Sequence, residues 1–207
     1  MVKLSACIEM MWGDVKFPER ITKIAGLGYK HYEFWAWWGK DLDAIERATK
    51  DAEIAVGACC VNTSFEGDVS LVMPDSAKFM AKAVQDCLPV RDRLGCKTFI
   101  ATTGNELKDV PREQQHAAVV AALKAGAPVA EAEGITIVLE PLNVLVDHKG
   151  YYLATSEEAF QIIREVNSPN VKLLFDIYHQ QITEGNVARN IFENLDLIGH
   201  FHAANNP

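Results

Sequence analysis

The sequence predicts a closed (β/α)8 barrel, and three observations carry that expectation. Short apolar runs alternate with longer helical patterns from one end of the chain to the other, the order of repeated strand-helix units with parallel strands. Three of the later runs finish on a carboxylate or an imidazole, at the strand ends where parallel sheets open into loops. After the first run stands Cys7-Ile-Glu-Met-Met-Trp-Gly13 rather than a glycine-rich dinucleotide turn, and no Gly-Lys-Ser/Thr phosphate loop occurs, which disfavours an open doubly wound sheet.

Seven runs read as strands: Lys3 to Ile8, Lys30 to Phe34, Ile54 to Cys60, Lys97 to Ala101, Ile135 to Glu140, Val171 to Asp176 and Ile198 to His202. Between them, Pro18 to Gly26 opens on a first-turn proline and closes on glycine, and Asp41 to Asp51 begins at a capping acid. Pro74 to Leu94 and Pro111 to Glu133 read as long alanine-rich helices, Ser156 to Val166 is capped by Thr155 or Ser156, and Asn186 to Asn194 follows the sixth strand. No linker, low-complexity tract or charge block interrupts the alternation, so residues 1–207 are expected to form one domain. A typical barrel runs to about 250 residues. The domain is therefore expected to be C-terminally incomplete, its eighth strand and last helices either cut off or absent in the native protein.

Composition narrows the partners. The 207 residues carry a net charge of -8 with no Lys/Arg cluster, whereas phosphate-backbone binding needs a basic face, so nucleic acid is not an expected partner. No apolar stretch approaches the roughly 18 residues of a membrane span, and the N-terminus lacks a signal-peptide pattern, so a cytoplasmic protein without membrane contact is expected. Cys7, Cys59, Cys60, Cys87 and Cys96 are odd in number and lack paired metal-type spacing, which favours structural filling over disulfides or a zinc ribbon.

The candidate chemistry lies at the strand ends. Glu140 closes Ile135-Thr-Ile-Val-Leu-Glu140, Asp176 closes Val171-Lys-Leu-Leu-Phe-Asp176, and His202 closes Leu197-Ile-Gly-His-Phe-His202. The spacings of 36 and 26 positions are those of successive strand-helix units, so the three stand on neighbouring parallel strands at one face of the sheet. Side chains alternate along a strand, so Asp176 shares a face with Leu174, and His202 with His200 one layer deeper. Two carboxylates and an imidazole form an oxygen-rich set suited to Mg²⁺, Mn²⁺, Co²⁺ or Zn²⁺. Each acid also has a plainer reading, as the N-cap of the following helix or a solvated loop charge. Trp12, after the first strand, is a candidate pocket wall. His148, in the loop after Glu140, is a candidate substrate contact or a solvent-facing loop histidine, and Asn143 reads as a turn residue of that loop.

Leu139-Glu-Pro-Leu-Asn143, Val146-Asp-His-Lys-Gly-Tyr-Tyr-Leu153, Phe175-Asp-Ile-Tyr-His-Gln-Gln181 and Ile198-Gly-His-Phe-His-Ala-Ala-Asn-Asn-Pro207 together resemble the hydroxypyruvate isomerase branch of the xylose isomerase-like TIM barrels. That superfamily also holds ketose 3-epimerases, inosose dehydratase and endonuclease IV. The resemblance implies that Glu140, Asp176 and His202 are ligands of a divalent metal, with a fourth ligand, a glutamate on the eighth strand, that this sequence does not contain. It implies that His179 contacts substrate, and that Glu140 is one of two carboxylates moving a proton through an enediolate, the missing glutamate being the other. It further implies a small sugar or keto-acid substrate and association into a homo-oligomer. Hydroxypyruvate isomerases often carry Gln where His202 stands, a departure that leans toward the epimerases.

Three functions follow as alternatives: a metal-dependent isomerase of a small hydroxy-keto acid or sugar, a ketose 3-epimerase, and a truncated barrel that only binds a metabolite. An endonuclease IV-type nuclease is disfavoured by the acidic charge and by the lack of histidines at the early strand ends.

Overall fold

The computed structural model describes residues 2–64 and 69–205. Asn206 and Pro207, the end of the last motif, lie outside the described residues. The chain divides into two compact units, residues 1–60 with 86–99, and residues 61–85 with 100–207.

In the first unit, strands β1 (Ser5–Cys7), β2 (His31–Glu33) and β3 (Ala55–Val56) form a parallel sheet in that order. Helix α1 (Phe17–Gly26) buries Ile21 and Ile24, and α2 (Leu42–Asp51) buries Ile45 and Thr49. The Asp41 side chain accepts the Ala44 N–H, satisfying one of the donors a helix start leaves open. The predicted strand Ile54 to Cys60 is divided, with β3 ahead of Gly57 and β4 (Ala58–Cys60) behind it. A side chain at 57 would come within 3.0 Å of the Glu33 carboxylate, so only glycine passes there without displacement.

One predicted helix is corrected. Pro74 to Leu94 is not continuous but consists of α3 (Ala77–Gln85) in the second unit and α4 (Leu88–Leu94) in the first. Pro89 sits in the first turn of α4, where its missing N–H and fixed φ suit a helix start and disfavour a continuation of α3. Strand β5 (Thr98–Ala101) follows and ends in the second unit.

The second unit carries α5 (Arg112–Glu133), β6 (Thr136–Leu139), α6 (Ser156–Val166), β7 (Val171–Asp176), α7 (Ile177–Thr183), α8 (Val187–Glu193) and β8 (Ile198–His202). Its strands lie in the order β5-β6-β7-β8, and both the β6–β7 and β7–β8 pairs are parallel. Strands buried on both sides read as continuous apolar runs, as Leu173–Phe175 does. Gly126 in α5 leaves room for α3, since a Cβ there would lie 3.1 Å from Val84 Cγ2 and 3.2 Å from Met80 Cγ. Helix α7 is not among the helices the sequence predicts.

The β7–β8 ladder shifts register between Leu173 and Leu174. Ile198 faces Leu173 but His200 faces Leu174, so Gly199 is the extra residue of a bulge. A Cβ at 199 would lie 2.7 Å from Lys172 Cβ and 3.2 Å from Val138 Cγ1, so the close approach requires glycine. Beyond the bulge Phe201 pairs with Phe175 and His202 with Asp176. Among the described residues no helix is long and apolar enough to cross a membrane.

Candidate functional site

Glu140 is the first residue past β6, and its N–H donates to Ala101 O of β5 at 3.1 Å. Asp176 is the last residue of β7 and His202 the last of β8, placed opposite one another by the ladder. The expected strand-end geometry thus brings all three together. His202 Nδ1 lies 3.2 Å from Glu140 Oε1 and 3.9 Å from Asp176 Oδ2. Ligand atoms of Glu140, Asp176 and His179 lie within 4.8 Å of one another, and the three residues are only 9%, 7% and 9% exposed.

The two oxygens of Asp176 face different partners. Its Oδ1 accepts the N–H groups of Tyr178 at 2.8 Å and His179 at 3.3 Å, capping α7. Its Oδ2 faces His202, and lies 3.8 Å from His179 Nε2. Burial raises the Asp176 carboxyl above its ordinary value, and the neighbouring Glu140 carboxylate pushes it in the same direction. Two buried carboxylates that repel one another beside an imidazole are a donor set that a divalent cation fits, since its charge would relieve both penalties.

The loop after Glu140 is built on Tyr151 and Asn143. The buried Tyr151 hydroxyl donates to Glu140 O at 2.9 Å and accepts the Thr103 N–H at 2.8 Å, tying the backbone of Glu140 to the segment after β5. Asn143 Oδ1 accepts the N–H groups of Val146 at 3.0 Å and Asp147 at 3.1 Å, which is the turn its sequence position suggests. Its Nδ2 reaches Asp147 Oδ2 and His179 Nδ1, each at 2.7 Å. His148 stands beside His179 with ring centroids 5.3 Å apart. Burial and the neighbouring His179 together lower its pKa.

Sequence reading assigned no site role to Tyr151 and only a turn to Asn143. The one available signal was a pair of tyrosines in a polar loop. Trp12 lies in the first unit, half-buried at φ 51°, with the Lys23 ammonium 5.3 Å from its ring centroid.

A family model for the xylose isomerase-like TIM barrel matches residues 21–207. The chain belongs to that family. Hydroxypyruvate isomerase of Escherichia coli (strain K12) is 27% identical over 210 residues, covering 100% of this chain and 81% of that protein. The 2-oxo-tetronate isomerase of Cupriavidus necator is 27% identical over 213 residues, covering 100% of this chain and 80% of that one. Among solved structures, an AP endonuclease, family 2, from Brucella melitensis superposes with a TM-score of 0.87 at 25% identity, over 99% of this chain and 80% of that one. Membership of this xylose isomerase-like family agrees with the predicted barrel class, and the hydroxypyruvate isomerase resemblance read from the strand-end motifs is matched by the curated relatives.

Proposed function

We propose that this chain, taken as one barrel domain, is an isomerase of a small hydroxy-keto acid or sugar, of the hydroxypyruvate isomerase type. The observation that carries the reading is the gathering of Glu140, Asp176, His179 and His202 at the ends of three adjacent strands. Relatives named for hydroxypyruvate and 2-oxo-tetronate isomerisation support the substrate class.

The reaction moves a proton between adjacent carbons through an enediolate. A divalent cation, Mn²⁺, Mg²⁺, Co²⁺ or Zn²⁺, held by Glu140, Asp176 and His202, would supply Lewis-acid stabilisation of the enediolate charge. Glu140 takes the proton from carbon, acting through its placement, because a carboxylate beside a cation is a weakened base. His179 holds and polarises a substrate oxygen. His148, packed beside it, helps enclose that end of the substrate. A ketose 3-epimerase is the second reading, favoured by an imidazole rather than an amide at position 202.

The test is solvent deuterium incorporation and product formation over hydroxypyruvate, 2-oxo-tetronate and small ketoses, with Mn²⁺ or Mg²⁺ added and then chelated. Metal-dependent exchange that disappears in Glu140→Gln supports the reading, and inversion at carbon 3 in place of a 1,2-shift selects the epimerase. No exchange with any substrate at any metal refutes both and leaves a binding barrel.

A further inference from the structure

We propose that Asn143 is a positioning residue that locks His179 in one tautomer, with its proton on Nε2. His179 then serves as a hydrogen-bond donor to a substrate oxygen and not as a metal ligand. The functional half of this inference rests on the isomerase reading, whereas the tautomer half does not.

The chemistry follows from which atoms can only donate. Asn143 Oδ1 is faced by two backbone N–H groups, those of Val146 and Asp147, and these fix the oxygen end of its amide. Both protons of Nδ2 are therefore directed at its two remaining partners, Asp147 Oδ2 and His179 Nδ1. The backbone N–H of Asn143 also donates to His179 Nδ1, at 3.3 Å. Two donors converge on that ring nitrogen, so Nδ1 must present its lone pair. The proton of the neutral ring then sits on Nε2, the nitrogen 3.8 Å from Asp176 Oδ2.

The lock is itself held in place. Asp147 Oδ2 accepts the Tyr178 hydroxyl at 2.9 Å as well as the Asn143 amide, and the Asn143 carbonyl accepts the His148 N–H at 3.1 Å. Asn143 is fully buried and every hydrogen-bonding site on its amide is used, so a flip would leave four groups facing the wrong partner. His179 is likewise held through its backbone by the α7 cap on Asp176. A nitrogen that carries a proton cannot donate a lone pair to a cation. Although its ring lies among the potential ligands, His179 is thereby separated in role from His202. An Nε2–H directed into a buried site suits an oxygen that gains negative charge during the reaction, as a ketone oxygen does on becoming an enediolate.

The discriminating variant reverses the polarity of the lock without changing its size. In the double variant Asn143→Asp with Asp147→Asn, net charge and heavy-atom contacts are kept, and the 143–147 bond survives with donor and acceptor exchanged. A carboxylate oxygen now faces His179 Nδ1 and demands a proton there. Long-range ¹H–¹⁵N NMR of histidine-labelled protein, with His179 assigned by loss of its signals in His179→Gln, reads the tautomer directly.

The expected result is the Nε2–H pattern in the wild type and the Nδ1–H pattern in the double variant, with kcat reduced about 10²–10³-fold and Mn²⁺ affinity retained within about threefold. An Nδ1–H pattern in the wild type overturns the inference whether or not the variant folds. A switched tautomer with unchanged kcat overturns the positioning role, and so does lost activity with an unswitched tautomer. If the wild type turns over no substrate, the isomerase reading fails while the tautomer assignment is still decided by its spectrum.

Discussion

Replacing Tyr151 with Phe removes one oxygen atom from a residue that is 3% exposed. That oxygen serves two backbone groups at once, accepting the Thr103 N–H at 2.8 Å and donating to Glu140 O at 2.9 Å. The phenyl ring still fills the same space, so no cavity forms and the cost is that of the abandoned partners. Each buried polar group left without a partner costs about 1–3 kcal/mol, which gives about 2–6 kcal/mol for the two. In a chain of this length each kcal/mol moves the melting temperature by about 2–4 °C, so even the lower bound gives a fall of about 4–8 °C. Urea unfolding followed by circular dichroism measures the change, with an unaltered slope showing that the unfolded state is the same. Exposed Tyr29→Phe is the control, expected within about 0.5 kcal/mol of the wild type. A loss below about 0.5 kcal/mol for Tyr151→Phe would refute the claim that this hydroxyl holds the Glu140 backbone in place.

Glu158 accepts the Arg112 guanidinium and the Tyr152 hydroxyl, each at 2.5 Å. Half-burial raises its pKa, but these two bonds, the Arg112 charge and the His116 hydrogen bond together leave the carboxyl below its ordinary 4.5. A depressed carboxyl stabilises the fold above pH 4.5 and loses that contribution as pH falls through its lowered value. The stability gap between wild type and Glu158→Gln is therefore expected to be full at neutral pH and to close below pH 4.5; urea titrations at a series of pH values check it, and a gap independent of pH would contradict the assignment. Burial raises the thiols of Cys59 and Cys87, and Cys96 is buried as well, so all three are expected to resist a disulfide reagent in the native protein while half-buried Cys7 and Cys60 react first. Equal reaction of all five thiols without urea would disprove it. Asp41→Ala removes the cap that receives the Ala44 N–H and is expected to cost about 1 kcal/mol in thermal unfolding, with no effect on metal uptake.

The parts of the fold that were legible are those governed by local pattern. Val171–Asp176 announces itself as a strand because both its faces are buried, and Asp41 or Gly26 mark helix ends through backbone rules that need no tertiary context. The same rules bear on Pro89, where alanine-rich periodicity masked a break at which proline opens the next helix. In the site, Glu140, Asp176 and His202 could be found because side chains alternate along strands and parallel strands end together. Asn143 and Tyr151 could not, because their reach depends on how a loop folds back: the Asn143 amide meets an imidazole 36 positions away, and nothing local to either residue records that meeting. Asp176 shows a further limit of sequence reading. Cap and strand-end ligand read as alternatives from the sequence, yet a carboxylate has two oxygens, and a cap that occupies Oδ1 leaves Oδ2 turned toward His202.

The bulge at Gly199 bears on how this scaffold can change. Were Gly199 to pair with Leu174 as an ordinary residue, β8 would bring Phe201 opposite Asp176, and a phenyl ring would stand where the imidazole now does. A one-residue shift of register therefore exchanges a polar position for an apolar one with no substitution at all. Insertions and deletions within β8 are thus as potent as point mutations in rewriting what the site presents. A search for altered chemistry on this chain should vary the length of that strand along with its letters.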